Sequence, residues 1–285
     1  MLSLCPDIGM ATAGMARQAV MPRWLMQGQS SARRWRMFDE LLQPRHIGKG
    51  KDGNGMQHTR LEVLSVSRNE NALLYERYAR CANRAAATPG RHTLSVLTAS
   101  LRDAVARQWV SSLGLKSDCN EVLLMHGAPR KGAVRWRWKQ SSGAWEPGER
   151  IEFDPVRAIL KYGFDPRVAR SGMLGQGTYC AERPCKADRY ALRYSDLQVS
   201  SSAGEEAQLF LCRAMLGRSF KTSTAIPGLR RPPCLAGHHG PCHHERFNSV
   251  VFEGSKKYRE FVLYDGSQIF PEFLVRYRRL AEPCP

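Results

Sequence analysis

The strongest constraint on this chain's fold is a series of short, dense apolar runs, each about the length of a single strand. Glu121-Val122-Leu123-Leu124-Met125 is the most compact of them, and similar segments occupy residues 208–216, 249–253, 259–264 and 272–278. Apolar runs of this length, bounded by polar or turn-forming residues, read as buried strands rather than helices. In Glu260-Phe261-Val262-Leu263-Tyr264 the side-chain alternation of a strand puts Glu260, Val262 and Tyr264 on one face and Phe261 and Leu263 on the other. A shorter strand is expected at Leu61, Val63, Leu64 and Val66.

Helical spacing dominates between these runs. Leu73, Leu74, Tyr78 and Cys81 predict a helix over 70–87, closed by Thr88-Pro89-Gly90. Leu94, Leu97, Leu101, Val105 and Trp109 predict a second helix over 93–113. Asp154-Pro155 opens a third, ending at Gly163, because Asp accepts the first free N–H groups and Pro is preset for the first turn. Helical spacing thus lies mostly early in the chain, and the C-terminal half is strand-rich.

The N-terminal part reads differently. Residues 48–55 hold four glycines and no apolar side chain, a linker composition. Residues 1–57 are therefore expected to be a flexible basic tail, with structured sequence from about Leu61. Up to Phe38 the tail carries Arg17, Arg23, Arg33, Arg34 and Arg36 against the single acid Asp7. That bias is shared with organelle presequences, so targeting stays open beside the plainer reading of a disordered tail.

The formal charge of +17 favours polyanionic partners and leaves nucleic-acid binding through a basic surface open. The basic residues are spread along the chain, so no dedicated nucleic-acid module is demanded. Trp136 and Trp138 alternate with Arg135, Arg137 and Lys139, a pattern that suits single strands but fits a surface strand or hairpin better. No run is long and apolar enough for a bilayer, and no membrane partner is expected. Nine widely spaced cysteines, an odd number without an evident secretory signal, lead us to expect reduced thiols and an intracellular setting, nuclear or cytoplasmic.

Three local patterns carry chemistry. His126-Gly127 follows an apolar strand. Gly175-Gln176-Gly177-Thr178-Tyr179 follows Tyr162-Gly163-Phe164-Asp165. Glu260 heads a strand ending Tyr264-Asp265. Singly each is weak: a Gly-x-Gly is most often a turn, a His beside a strand is usually structural, and a Glu at a strand's head is usually exposed. The third glycine of a dinucleotide fingerprint is missing, which excludes a Rossmann reading.

In this order, the patterns resemble the catalytic domain of the poly(ADP-ribose) polymerase family, diphtheria-toxin-like ADP-ribosyltransferases with a His-Tyr-Glu triad. The stretch 163–190 is most similar to tankyrase-type members. The resemblance implies a domain over 58–282 of the α+β class with the ADP-ribosyltransferase fold: split antiparallel β-sheets around an NAD cleft, with peripheral helices. It implies that NAD+ is a substrate and that acceptor proteins, including the chain itself, are partners. His126 matches the histidine that binds the adenosine ribose, and Gly127 the glycine whose backbone holds the nicotinamide carboxamide. Tyr179 matches the triad tyrosine, Tyr190 the tyrosine stacking on nicotinamide, and Glu260 the catalytic glutamate. Asp165 opens the stretch to Met173 that falls where the family has its donor-site loop.

There are departures. Cys185-Lys186-Ala187 stands where the family often has Ser-Lys-Ser, so Ala187 lacks a hydroxyl that would bond nicotinamide. Ala128 follows His-Gly where Ser or Thr is common, and Cys180 replaces a usual Phe. Two other readings stay open: a weak or inactive NAD+- or ADP-ribose-binding module, and an RNA-directed 2′-phosphotransferase of related fold. Finally, Cys234, His238, Cys242 and His244 lie in a Pro/Gly-rich loop and could hold zinc. Tankyrase-type members bind zinc elsewhere along the chain, and family members often carry Gly-His-His in this loop without metal, so zinc is possible but not expected.

Overall fold

Nine strands join in one sheet of order β1-β2-β13-β9-β3-β8-β12-β11-β10. They are β1 (Gln18–Val20), β2 (Arg60–Asn69), β3 (Glu121–Gly127), β8 (Thr178–Ala181), β9 (Glu206–Met215), β10 (Ser219–Thr222), β11 (Ser249–Phe252), β12 (Glu260–Leu263) and β13 (Ile269–Leu280). Two small hairpins stand apart, β4 (Val134–Lys139) with β5 (Ala144–Arg150), and β6 (Ser171–Gly172) with β7 (Gly175–Gln176). The helices are α1 (36–41), α2 (Ala72–Ala86), α3 (Ala104–Ser112), α4 (Pro155–Tyr162) and α5 (Pro184–Ala191). This computed structural model describes residues 18–20, 36–43, 60–86, 94–128, 134–139, 141, 144–150, 154–169, 171–191, 204, 206–239, 242–253 and 258–280.

The α+β architecture and the split sheet are both present. Between β3 and β8 a single pair, Met125 opposite Ala181, joins the two halves. On one side β3 pairs with β9 along its whole length, and β9 with β13. On the other, β8 pairs with β12 over four residues. All pairings in the large sheet are antiparallel except β10 with β11, which run parallel. The apolar runs form central strands because both of their faces are covered: Phe261 and Leu263 join one core cluster and Val262 another.

Two sequence expectations change. The predicted helix over 93–113 is broken. A 3-10 turn at Leu97–Ser100 ends in an extended Leu101, and α3 restarts under an Asp103 cap that accepts the Ala106 N–H. The reason is long-range. The buried Glu40 carboxylate takes the Arg102 and Asp103 N–H groups, at 2.6 and 3.0 Å, that a continuous helix would need for its own ladder. The same contact bears on the expected tail. Met37, Phe38, Leu41 and Leu42 are buried in the main core, so residues 36–43 are part of the fold. Apart from these and β1, residues 1–57 lie outside the described residues. The expected turn at Thr88-Pro89-Gly90 also lies outside them.

Buried charge fixes where α5 sits. Arg279 on β13 donates through Nε and Nη2 to Asp188 of α5, with Nη2 to Oδ1 at 2.8 Å, and the Tyr277 hydroxyl donates to the same carboxylate. Asp188 and Arg279 are both almost fully buried. Beneath the helix, a β-carbon at Gly127 would overlap the Ala187 carbonyl oxygen, so only glycine lets α5 approach β3 this closely. A second network ties β9 to its neighbours, with Arg213 paired to Glu272 at 2.8 Å and Glu121 at 3.2 Å. Removing one partner of a buried pair strands the other charge, so Asp188→Ala should lower unfolding stability by about 3–5 kcal/mol in urea titration. A loss below about 1 kcal/mol would show that apolar packing alone seats the helix.

Candidate active site

The site lies where the sheet divides. Continuing the β3–β8 register past Met125 would set Gly127 opposite Tyr179, but the ladder stops. The Tyr179 carbonyl accepts instead from His126 Nδ1 at 2.8 Å. A carbonyl can only accept, so the proton is assigned to Nδ1 and Nε2 is left as an acceptor. The imidazole stands edge-on to Phe164, ring centroids 4.9 Å apart, and Phe164 stands on Phe210. Burial pushes the His126 pKa below its ordinary value, outweighing the carbonyl bond, which acts the other way.

Tyr179 and Glu260 are brought together by register. Tyr179 pairs with Val262 and Ala181 with Glu260, so all four side chains share one face of β8–β12. The Tyr179 hydroxyl donates to the Gly175 carbonyl and accepts from the Leu174 N–H, both at 2.9 Å. Its pKa is pushed up to about 12, first by burial and further by the Glu260 charge, with the Leu174 N–H opposing. The β6–β7 turn thus holds the ring by its hydroxyl. Gly175 has φ of +82°, and a β-carbon there would run into the Leu229 backbone.

Glu260 is buried, unlike most strand-head glutamates. Its Oε1 pairs with Lys186 Nζ at 2.9 Å, and both side chains are about 95% hidden, at 6% and 5% exposure. No sequence pattern marks Lys186 for this pairing. The legible signal was its spacing: Lys186 and Tyr190 are four apart and so share one face of α5. The Lys186 ammonium indeed lies 5.7 Å from the centre of the Tyr190 ring, which is half exposed. Two further residues without an assigned role, Glu182 and Arg259, pair at 2.7 Å, and Arg259 also reaches the Ser95 carbonyl.

The remaining sequence candidates stand apart from that core. Gly127 lies under α5, and its missing side chain is explained by helix packing. Ala187 is buried in the main core cluster, where a hydroxyl would need its own partner. Asp165 caps the 3-10 turn Pro166–Val168 and pairs with Arg167 at 2.8 Å, an exposed structural contact. Its carboxyl is held below its ordinary pKa, chiefly by the Arg167 side-chain bonds. Cys234, His238, Cys242 and His244 converge as a separate group within the β10–β11 loop. Among the described residues no helix is long and apolar enough to cross a membrane.

The depressed His126 pKa has a definite sign. Between the folded pKa and the ordinary value near 6.5, the unfolded chain binds a proton that the folded chain refuses, so stability falls as pH drops through that window. Thermal melts from pH 7.5 down to 5 should show this slope, reduced in His126→Gln (pH limits roughly bracket the histidine range). Equal slopes in the two proteins would remove His126 as its source.

Compared with known families, residues 148–279 match the family model of the poly(ADP-ribose) polymerase catalytic domain. The match contains Asp165, Tyr179, Tyr190 and Glu260. His126 and Gly127 precede it and are tied to it by the contacts above.

Proposed function

Because residues 148–279 match the family model of the poly(ADP-ribose) polymerase catalytic domain, we propose that this chain is an NAD+-dependent ADP-ribosyltransferase acting at the Tyr179–Glu260 face. The reaction moves ADP-ribose from NAD+ to an acceptor side chain of a protein, the chain itself included, and releases nicotinamide. The observation that carries the reading is a carboxylate held by a buried lysine on one sheet face with Tyr179, beneath a helix that presents Tyr190.

The chemistry suits these groups. As the C1′–N bond breaks, its electron pair neutralises the nicotinamide nitrogen and leaves positive charge on the ribose carbon and ring oxygen. A fixed carboxylate stabilises that charge, as in glycoside cleavage. The acceptor then attacks C1′ and gives its proton to a base, a role this reading gives to Glu260. Lys186 is a positioning residue in this scheme: it fixes the orientation of the carboxylate and offsets the cost of burying it. Tyr179 and Tyr190 supply aromatic faces for the flat, cationic nicotinamide. His126 Nε2, left as an acceptor, suits a ribose hydroxyl.

Labelled NAD+ tests this directly. Glu260→Gln should cut label transfer and nicotinamide release by roughly a hundred- to a thousandfold, with NAD+ binding retained. Binding without transfer in the unmutated protein, across a range of acceptors, would instead favour a binding module. Label moving only to or from RNA would favour RNA chemistry, and product length on the same gel separates mono- from poly-transfer. Lys186→Met should lower turnover by roughly a hundredfold through misplacement of the carboxylate. If it instead raised KM alone, Lys186 would be a binding residue.

A further inference from the structure

Among its described residues the loop between β10 and β11 has no regular element of its own, yet it is built around four potential ligands. Loops of this length without internal structure usually need another source of order. Around the ligands there is little apolar packing: Leu235, Ala236, Gly237, His238, His239, His243, His244 and Glu245 are all exposed. The base of the loop is nonetheless closed. Cys234 forms an antiparallel bridge with Arg246, the Leu235 N–H donates to the Glu245 carbonyl at 2.8 Å, and the Phe247 N–H to the Pro233 carbonyl at 3.1 Å.

Sγ of Cys234, a ring nitrogen of His238, Sγ of Cys242 and a ring nitrogen of His244 all lie within 4.8 Å of one another. In a tetrahedral zinc site, bonds of about 2.3 Å to sulfur and 2.0–2.1 Å to nitrogen put ligand atoms roughly 3.3–3.8 Å apart. The four atoms therefore need to close by no more than about 1.5 Å. The side chains are also prepared as ligands. The His238 N–H donates to Cys234 Sγ and Arg246 Nη2 to Cys242 Sγ, both at 3.2 Å. Such donors act as the outer partners that orient a metal's ligands. Arg246 is itself held by the Pro232 carbonyl at 3.0 Å. The His238 and His244 rings lie side by side, centroids 5.2 Å apart.

We propose that Cys234, His238, Cys242 and His244 bind one Zn2+ as a closed, structural site. Two thiolates and two imidazoles complete a tetrahedron, so no open position remains for substrate, and the metal takes no part in the transfer chemistry. Its role is to set the loop. The same loop lies against the hairpin that holds Tyr179: the Ile226 N–H donates to the Met173 carbonyl at 2.8 Å, and Leu229 packs with Leu174 and Val262. Zinc would therefore brace, from outside, the hairpin that holds Tyr179.

The test is metal content, independent of whether the chain transfers ADP-ribose. The full chain is purified under reducing conditions without a polyhistidine tag and analysed by elemental mass spectrometry. About one zinc per chain is expected, falling below about one-fifth in Cys242→Ser and in His244→Ala, and unchanged in His239→Ala and His243→Ala. These variants avoid the fully buried Cys234, and circular dichroism confirms that each is folded. Cobalt added to the metal-stripped chain should give the visible bands of a tetrahedral thiolate site. Chelation should lower the melting temperature by roughly 5 °C or more. Absence of zinc together with no cobalt spectrum, or a Cys234–Cys242 disulfide in the reduced preparation, would overturn the proposal. So would zinc retained in both ligand variants.

Discussion

The arrangement of the molecule turns on one hydrogen bond, from His126 Nδ1 to the Tyr179 carbonyl. A backbone ladder there would have fused β3 and β8 into a continuous sheet with a filled seam. A side chain takes the carbonyl instead, so the strands part after Met125 and Ala181 without leaving a buried acceptor unpaired. The divide is thus a break in the ladder whose polar cost is met by the His126 side chain. The tyrosine that supplies the carbonyl places its ring on the opposite side of the same strand from Cys180, beside Glu260.

Everything above this seam depends on where α5 rests. Its eight residues have little apolar surface to spare, because Lys186 and Asp188 are buried along with Cys185 and Ala187. Each buried charge has a named partner on a different strand, Lys186 with Glu260 of β12 and Asp188 with Arg279 of β13. Such pairs do little for net stability compared with apolar packing, but they permit few alternative placements of the helix. Here they set its rotation and translation, and with them the position of Tyr190. Gly127 supplies the clearance for that docking. The opposite wall is built by the loop from β10 to β11, which reaches the Tyr179 hairpin through Ile226 and Leu229.

Much of this was legible along the chain, for a local reason. The runs at 121–125, 208–216, 249–253 and 259–264 are apolar on both faces because both faces are covered, and that pattern is written in consecutive residues. The caps at Asp154 and Gly163 are equally local. Over 93–113 the helical periodicity is real, but Glu40, some sixty positions earlier, claims the N–H groups at Arg102 and Asp103 and breaks the helix. Residues 36–43 look like tail for the same reason: a short apolar turn shows its burial only once the surface it packs on exists.

The sequence by itself determined the types and order of the chemical groups: a histidine after a buried strand, a tyrosine after a glycine turn, a glutamate at the head of an alternating strand, and two cysteines with two histidines in one loop. Those depend on residue identity and short spacing, which the chain carries directly. Only the tertiary structure decided that Glu260 is buried and paired with Lys186, that Gly127 serves helix packing, and that Asp165 is a cap turned to Arg167. Each of these is a contact between one residue and a strand, helix or turn whose place is set by the packing of the whole sheet, and no local pattern encodes that placement.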